Sequence, residues 1–223
     1  MNRSTLFISL VTVATAGLAF PLGAQTSNFH HAEGGRYEVS LAFGLDPAVV
    51  TSVGITRWTG VGDRVVGLSL EGTLPVAEFD MHDYRVGAGA SMSLVRFGTF
   101  HLATRLGLSA RGTENVNFTA HGFGANLAAF LGHYGRRTFA AVELGYDKAV
   151  LEHIEHSPFY LANYPDAVDG WYEAPAGTLR LGLTTGVSLG RMDLGLRAYI
   201  ARSEGWEELM PPLGTTMSLS YRF

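Results

Sequence analysis

The sequence predicts an all-β fold: a closed antiparallel transmembrane β-barrel of about ten strands, with eight as the alternative, preceded by a signal peptide. Three observations predict it. Apolar residues alternate with polar or small ones through most of the chain beyond residue 35, the pattern of strands with two unlike faces. The connections between these segments alternate between tight and looser ones. Beyond the first 24 residues no run reaches about 18 apolar residues, the length a spanning helix needs.

The segment 1–24 reads as a signal peptide. Arg3 is followed by the apolar run Leu6 to Leu22, and Leu22-Gly23-Ala24 ends in small residues suited to cleavage before Gln25. Gly17 and Pro21 interrupt the run and no basic flank follows it, so a spanning helix fits poorly. The chain has no cysteine. That excludes disulfides, thiolate metal sites, cysteine catalysis and a lipid-anchored cysteine at the cleavage point. The formal charge is −4, and removing Arg3 with the leader leaves 15 basic against 20 acidic residues. Nothing there points to nucleic acid. With 28 Gly and 16% charged residues, the composition suits a membrane-embedded sheet better than a soluble secreted enzyme.

Ten segments carry the alternation. Tyr37, Val39, Leu41 and Phe43 oppose Arg36, Glu38 and Ser40; Val49, Thr51, Val53 and Ile55 oppose Val50, Ser52, Gly54 and Thr56. The third runs through Val66, Leu68 and Leu70, the fourth through Tyr84 to Leu94, and the fifth through Phe100 to Leu108. The sixth, around Phe123 to Leu131, lies in the uncharged stretch Asn115 to Gly135, but its glycines and asparagines fit period two better than a helix. Ala140 to Tyr146, Leu179 to Val187, Leu194 to Ile200 and Met217 to Phe223 complete the set. Connections at Thr59–Asp63, Arg96–Thr99, Gly132–Arg137 and Gly190–Asp193 are tight. Those at Thr73–Asp83, Arg111–Phe118, Lys148–Pro175 and Arg202–Gly214 are looser, and only Leu45–Pro47 is short on that side. Membrane barrels have this asymmetry. Hydrocarbon cannot hydrogen-bond a peptide group, so a spanning sheet must close, and closure puts the apolar parity outside.

The tail Met217-Ser218-Leu219-Ser220-Tyr221-Arg222-Phe223 resembles the C-terminal signature of bacterial outer-membrane proteins. In those proteins the last strand ends in Phe with apolar or aromatic residues two, four and six positions before it. The resemblance covers about Arg36 to Phe223 and extends to the class of small outer-membrane barrels, with no subfamily motif. It implies location in the bacterial cell outer membrane, with outer-membrane lipid as surroundings. It also implies assembly by the barrel-assembly machinery through Leu219, Tyr221 and Phe223. Residues 25–35 then form an N-terminal periplasmic segment and 36–223 the barrel. Trp58, Tyr84, Tyr146 and Tyr221 fall at strand ends, where interfacial aromatics belong.

The opposite parity fills the lumen. It carries a charge network of Glu38, Glu71, Arg85, Arg105, Glu143, Asp147, Arg180, Arg197 and Arg222, together with Asn126. Register counted from the turns sets Glu71 beside Arg85 and Glu38 beside Arg222, and ion pairs are expected because a lone charge in a narrow lumen is unfavourable. Many inward positions are glycine. They either make room for arginine side chains or leave a thin water-filled path, and a barrel of about ten strands is expected to be mostly plugged.

Chemistry-bearing motifs are sparse. Asp80-Met81-His82-Asp83 gives an Asp-x-His pair on an outer loop that resembles the omptin-like surface proteases, in which a carboxylate orients a histidine as a general base. That family also needs an acidic pair across the mouth, and no Asp-x-Asp occurs here. His153 and His156 form His-x-x-His in the longest loop, two ligands where zinc takes three or four. No serine and histidine pair suited to lipid A modification stands out, and no cofactor motif is present. The loop also holds Phe159, Tyr160, Tyr164, Trp171 and Tyr172, which could grip a partner or cap the mouth. The expected function is a non-enzymatic outer-membrane barrel, structural or passing a small polar solute. A loop-borne hydrolase or adhesin is the alternative.

Overall fold

The computed structural model describes residues 27–46, 48–76, 82–173, 177–205 and 208–223, and over 208–211 the strand alone. The expected leader and Asp80 lie outside the described residues. The strands are β1 (Tyr37–Leu45), β2 (Val49–Val61), β3 (Arg64–Pro75), β4 (Tyr84–Phe97), β5 (Phe100–Glu114) and β6 (Phe118–Tyr134). They continue as β7 (Thr138–His156), β8 (Gly170–Glu173), β9 (Gly177–Leu189), β10 (Met192–Ser203) and β11 (Glu208–Arg222). A 3-10 turn, Phe29–His31, precedes them, and a short helix α1 (Pro158–Asn163) lies between β7 and β8.

Neighbours in sequence pair antiparallel from β1 to β7, then β7 with β9, β9 with β10 and β10 with β11, and β11 returns to β1. That is a closed barrel of ten strands. The four-residue β8 stands outside the count: it pairs with Leu151–Ile154 of β7, above the stretch that β9 covers. At the seam, Glu38 lies opposite Arg222 and Leu41 opposite Leu219, and Tyr37 and Phe223 exchange both backbone hydrogen bonds at 3.0 and 3.1 Å.

Three hairpins at the end holding the termini have two-residue loops that begin with glycine in the left-handed region. These are Gly62 (φ 59), Gly98 (φ 62) and Gly190 (φ 66), and the conformation matches the twist of the strands they join. At the other end the strands run further than hydropathy alone suggests. β5 reaches Glu114, which pairs with Thr119, and β7 reaches His156, which pairs with Phe118. The ladder continues there after the greasy alternation has stopped, because backbone pairing does not require an apolar face.

The expected parity holds. Leu70, Leu108 and Leu144 point outward and are 61%, 69% and 59% exposed, while Glu143, Asp147 and Arg180 point inward and are almost wholly buried. The larger apolar cluster among the described residues sits at the termini end of the lumen, and a smaller one of Ala120 and Ile154 with Phe118 and Tyr172 lies at the other end. In the larger, Phe29 packs edge-on against Trp58 and Tyr134, with Phe130, Phe139, Ala103, Ala128 and Ala141 around them. One aromatic differs from the sequence reading. Trp58 shares the inward parity of Ser52 and Thr56, so its ring fills the lumen rather than a membrane interface, and its Nε1 donates to Glu38 at 3.2 Å. The segment ahead of β1 turns into the barrel: Asn28 donates 2.9 Å bonds to the Gly135 carbonyl and to Ser188, and Phe29 follows it in.

Candidate functional site: the lumen

Every charged residue assigned to the lumen by parity faces inward on its strand. Arg197 and Arg85 find their partners beyond the next strand, whereas Arg222 finds its partner on the neighbouring one. Arg197 on β10 grips Glu143 on β7 through Nε (2.7 Å to Oε2) and Nη2, with β9 between them. Arg85 on β4 reaches Asp147 on β7 at 3.3 Å, with β5 and β6 between them, and Arg111 approaches the other Asp147 oxygen at 3.8 Å. Arg222 pairs with Asp193 at 2.7 Å and also donates to the Gly190 carbonyl.

The two expected neighbour pairs resolve differently. Glu71 lies opposite Gly87, with Arg85 two residues further along β4, yet the Arg85 guanidinium turns to Asp147. Glu38 is the register partner of Arg222 and accepts from Ser27 and Trp58, while Arg222 goes to Asp193. Arg105 lies over the Phe130 ring at 5.7 Å, and Arg180 and Arg197 flank the Tyr199 ring at 5.9 and 4.8 Å. Tyr199 donates its hydroxyl proton to Asp46.

Arg111, Glu152, Asp46 and Asp193 belong to this interior and were not assigned to it from sequence. Arg111 and Asp193 continue the inward parity of Ser109 and Gly195 and were within reach of the same count. Glu152 was not, because an irregularity between Phe123 and Gly124 makes β7 skip Val150 and reverses its parity above Ala149.

Several inward glycines make room for neighbouring side chains. Arg111 fills the space where a Cβ on Gly124 would stand, Arg180 lies 3.2 Å from one on Gly145, and Asn126 lies 2.7 Å from one on Gly107. The inward positions over 120–134 of β6, 139–154 of β7, 193–201 of β10 and 214–222 of β11 are buried. The side formed by β3, β4 and β5 differs. There Ser69, Glu71, Thr73, Gly87, Gly89, Arg105 and Gly107 face inward and yet stay partly accessible, a mostly polar strip along one wall, although Arg85, Ser109 and Arg111 of the same strands are buried. Beneath it lie Trp58 and Ala103 of the aromatic layer.

The outer motifs are structural in their contacts. His82 stands 3.6 Å from Glu114, and Asp83 accepts from the Glu114 amide at 3.1 Å. His153 packs on Trp171 at 5.0 Å and lies 3.6 Å from Glu155. His156 stacks on Tyr160 at 4.9 Å and meets Asp169 at 2.8 Å through Nδ1. Asp169 also accepts the His156 amide, and these bonds hold its carboxyl below the usual aspartate range. The two histidines are thus engaged separately, and among the described residues no three metal-ligating side chains gather. Tyr160 is buried, while Phe159, Tyr164 and Trp171 are exposed around it.

Taken together, the fold and lumen define the class: a closed ten-stranded antiparallel β-barrel with an apolar outside and an ion-paired inside. No protein family matches the chain, and no curated protein is significantly similar to it.

Proposed function

We propose that the protein is a bacterial outer-membrane barrel, non-enzymatic, whose narrow lumen lets small polar solutes pass when its N-terminal plug moves. The observation that carries this is the inversion of polarity across the barrel wall. Dozens of leucines, valines and phenylalanines face outward, and removing one such side chain from water is worth about 1.5–3 kcal/mol. A wall of this kind is stable against hydrocarbon, which the closed ladder tolerates because it has no edge. The partly accessible polar positions along β3–β5 support such a path, and the Phe29 layer would close it at the termini end.

Two measurements test the reading. The chain from Gln25 onward, refolded into lipid vesicles, is expected to float with them and to keep its strand content in detergent until heated. A monomer that stays folded in buffer without amphiphile would refute the membrane location. In a planar bilayer, the intact protein is expected to conduct weakly and Phe29→Ala to conduct several-fold more. Silence from both proteins would remove the permeation role while leaving a structural one.

A further inference from the structure

The two ends of the barrel carry opposite charge. At the end holding the termini, Arg136 and Arg137 form the β6–β7 turn and Arg191 lies in the β9–β10 turn, all three exposed. Their side chains make no hydrogen bond or ion pair among the described residues. Arg57, Arg64 and Arg96 are exposed on the same end, and Arg36 lies beside them paired with Glu33. Among the described residues Asp63 is the other exposed acid there. The opposite rim is acidic: Glu114, Glu155, Asp166, Asp169, Glu173 and Glu204 are exposed, against Lys148 and Arg202, which are half-buried.

An aromatic tier adjoins the arginines. Tyr37, Phe97, Phe100, Tyr221 and Phe223 face outward at this end, Tyr37 stacks on Phe223 at 5.9 Å, and Arg57 lies over the Tyr37 ring at 5.7 Å. Along the barrel axis the order is therefore apolar wall, aromatic rings, guanidinium groups. A phospholipid leaflet presents the complementary order of acyl chain, glycerol region and phosphate. Arginine suits that last layer, since its planar fork matches phosphate oxygens and its stem can lie along apolar surface.

We infer that this rim is a docking belt for anionic phospholipid headgroups of the leaflet on the termini side. The inference rests on the membrane reading above. The belt selects charge: a zwitterionic headgroup offers its phosphate with a competing ammonium, whereas phosphatidylglycerol offers the phosphate alone. Each basic side chain near an anionic surface adds attraction that fades beyond a Debye length.

The test uses the refolded protein in phosphatidylcholine vesicles doped with spin-labelled phosphatidylglycerol or spin-labelled phosphatidylcholine, reading the motionally restricted fraction of each. The expected result is a several-fold preference for phosphatidylglycerol, reduced by added salt and lost in the combined variant Arg136→Gln, Arg137→Gln, Arg191→Gln. Replacing the same three by lysine should retain most of it. Equal restriction of both lipids, or a preference unchanged in the glutamine variant, would overturn the belt. So would loss of the preference with millimolar inorganic phosphate at constant ionic strength, because the rim would then be a site for the free ion. Insertion into the vesicles is scored separately by strand content, so failure to insert counts against the membrane reading and failure to select against the belt.

Discussion

At the scale of single residues, the lumen depends on charges that have exchanged water for one another. Glu143 and Arg197 are both almost completely buried and joined by two bonds. Removing either leaves the other stranded, which is strongly unfavourable, whereas replacing both removes the charge altogether. Arg197→Ala is therefore expected to lower unfolding stability by about 3–5 kcal/mol. The pair Arg197→Met, Glu143→Gln should lose much less than the two single changes combined. Denaturant titration of the four proteins in detergent checks this, and additive losses would contradict it. The outer loop offers a pH test. The Asp169 carboxyl is held low by the His156 amide and ring, so its contribution is present above the ordinary aspartate value and fades as pH falls through the lowered one. Hydrogen exchange at the His156 amide should rise in that acid window, and Asp169→Asn should remove the acid dependence.

At the scale of elements, the sequence made some features legible and hid others. Strand parity was readable because lipid-type and lumen-type side chains alternate, and it placed residues as far apart as Glu38 and Arg197 inside. The partner of each charge was not readable. Local register puts Arg85 near Glu71, but its long side chain spans the lumen to Asp147, a choice made by the ring as a whole. The inward turn of Asn28 and Phe29 was hidden as well, since nothing in a short polar segment announces that its one phenylalanine has a socket between Trp58 and Tyr134. The hairpin glycines give a further prediction. Gly98→Val forces a branched side chain into the left-handed region, at a cost of about 1–2 kcal/mol, while Gly72→Ala, which meets open space at ordinary φ, should be near neutral. Equal melting temperatures for the two variants would count against the turn argument.

At the scale of the whole molecule, closure makes stability a shared property. Each of the ten strands has two neighbours, and the seam between β1 and β11 is secured at its end by the Tyr37–Phe223 exchange and the stacking of their rings. Deleting Phe223 removes two backbone bonds, each worth about 0.5–1.5 kcal/mol, together with that stacking. The expected outcome is a single unfolding transition shifted to lower denaturant, not a separate early phase at the seam. A biphasic melt would show that the edges separate on their own.

The socket for Asn28 and Phe29 draws on distant parts of the chain: Trp58 from β2, Tyr134 and Gly135 where β6 ends, Ser188 from β9. No single hairpin contains it. The cork thus has nowhere to sit until the hoop has been joined from both directions, so sealing comes last in the birth of the molecule. On this reasoning the stopper is expected to dock only after the ring has closed.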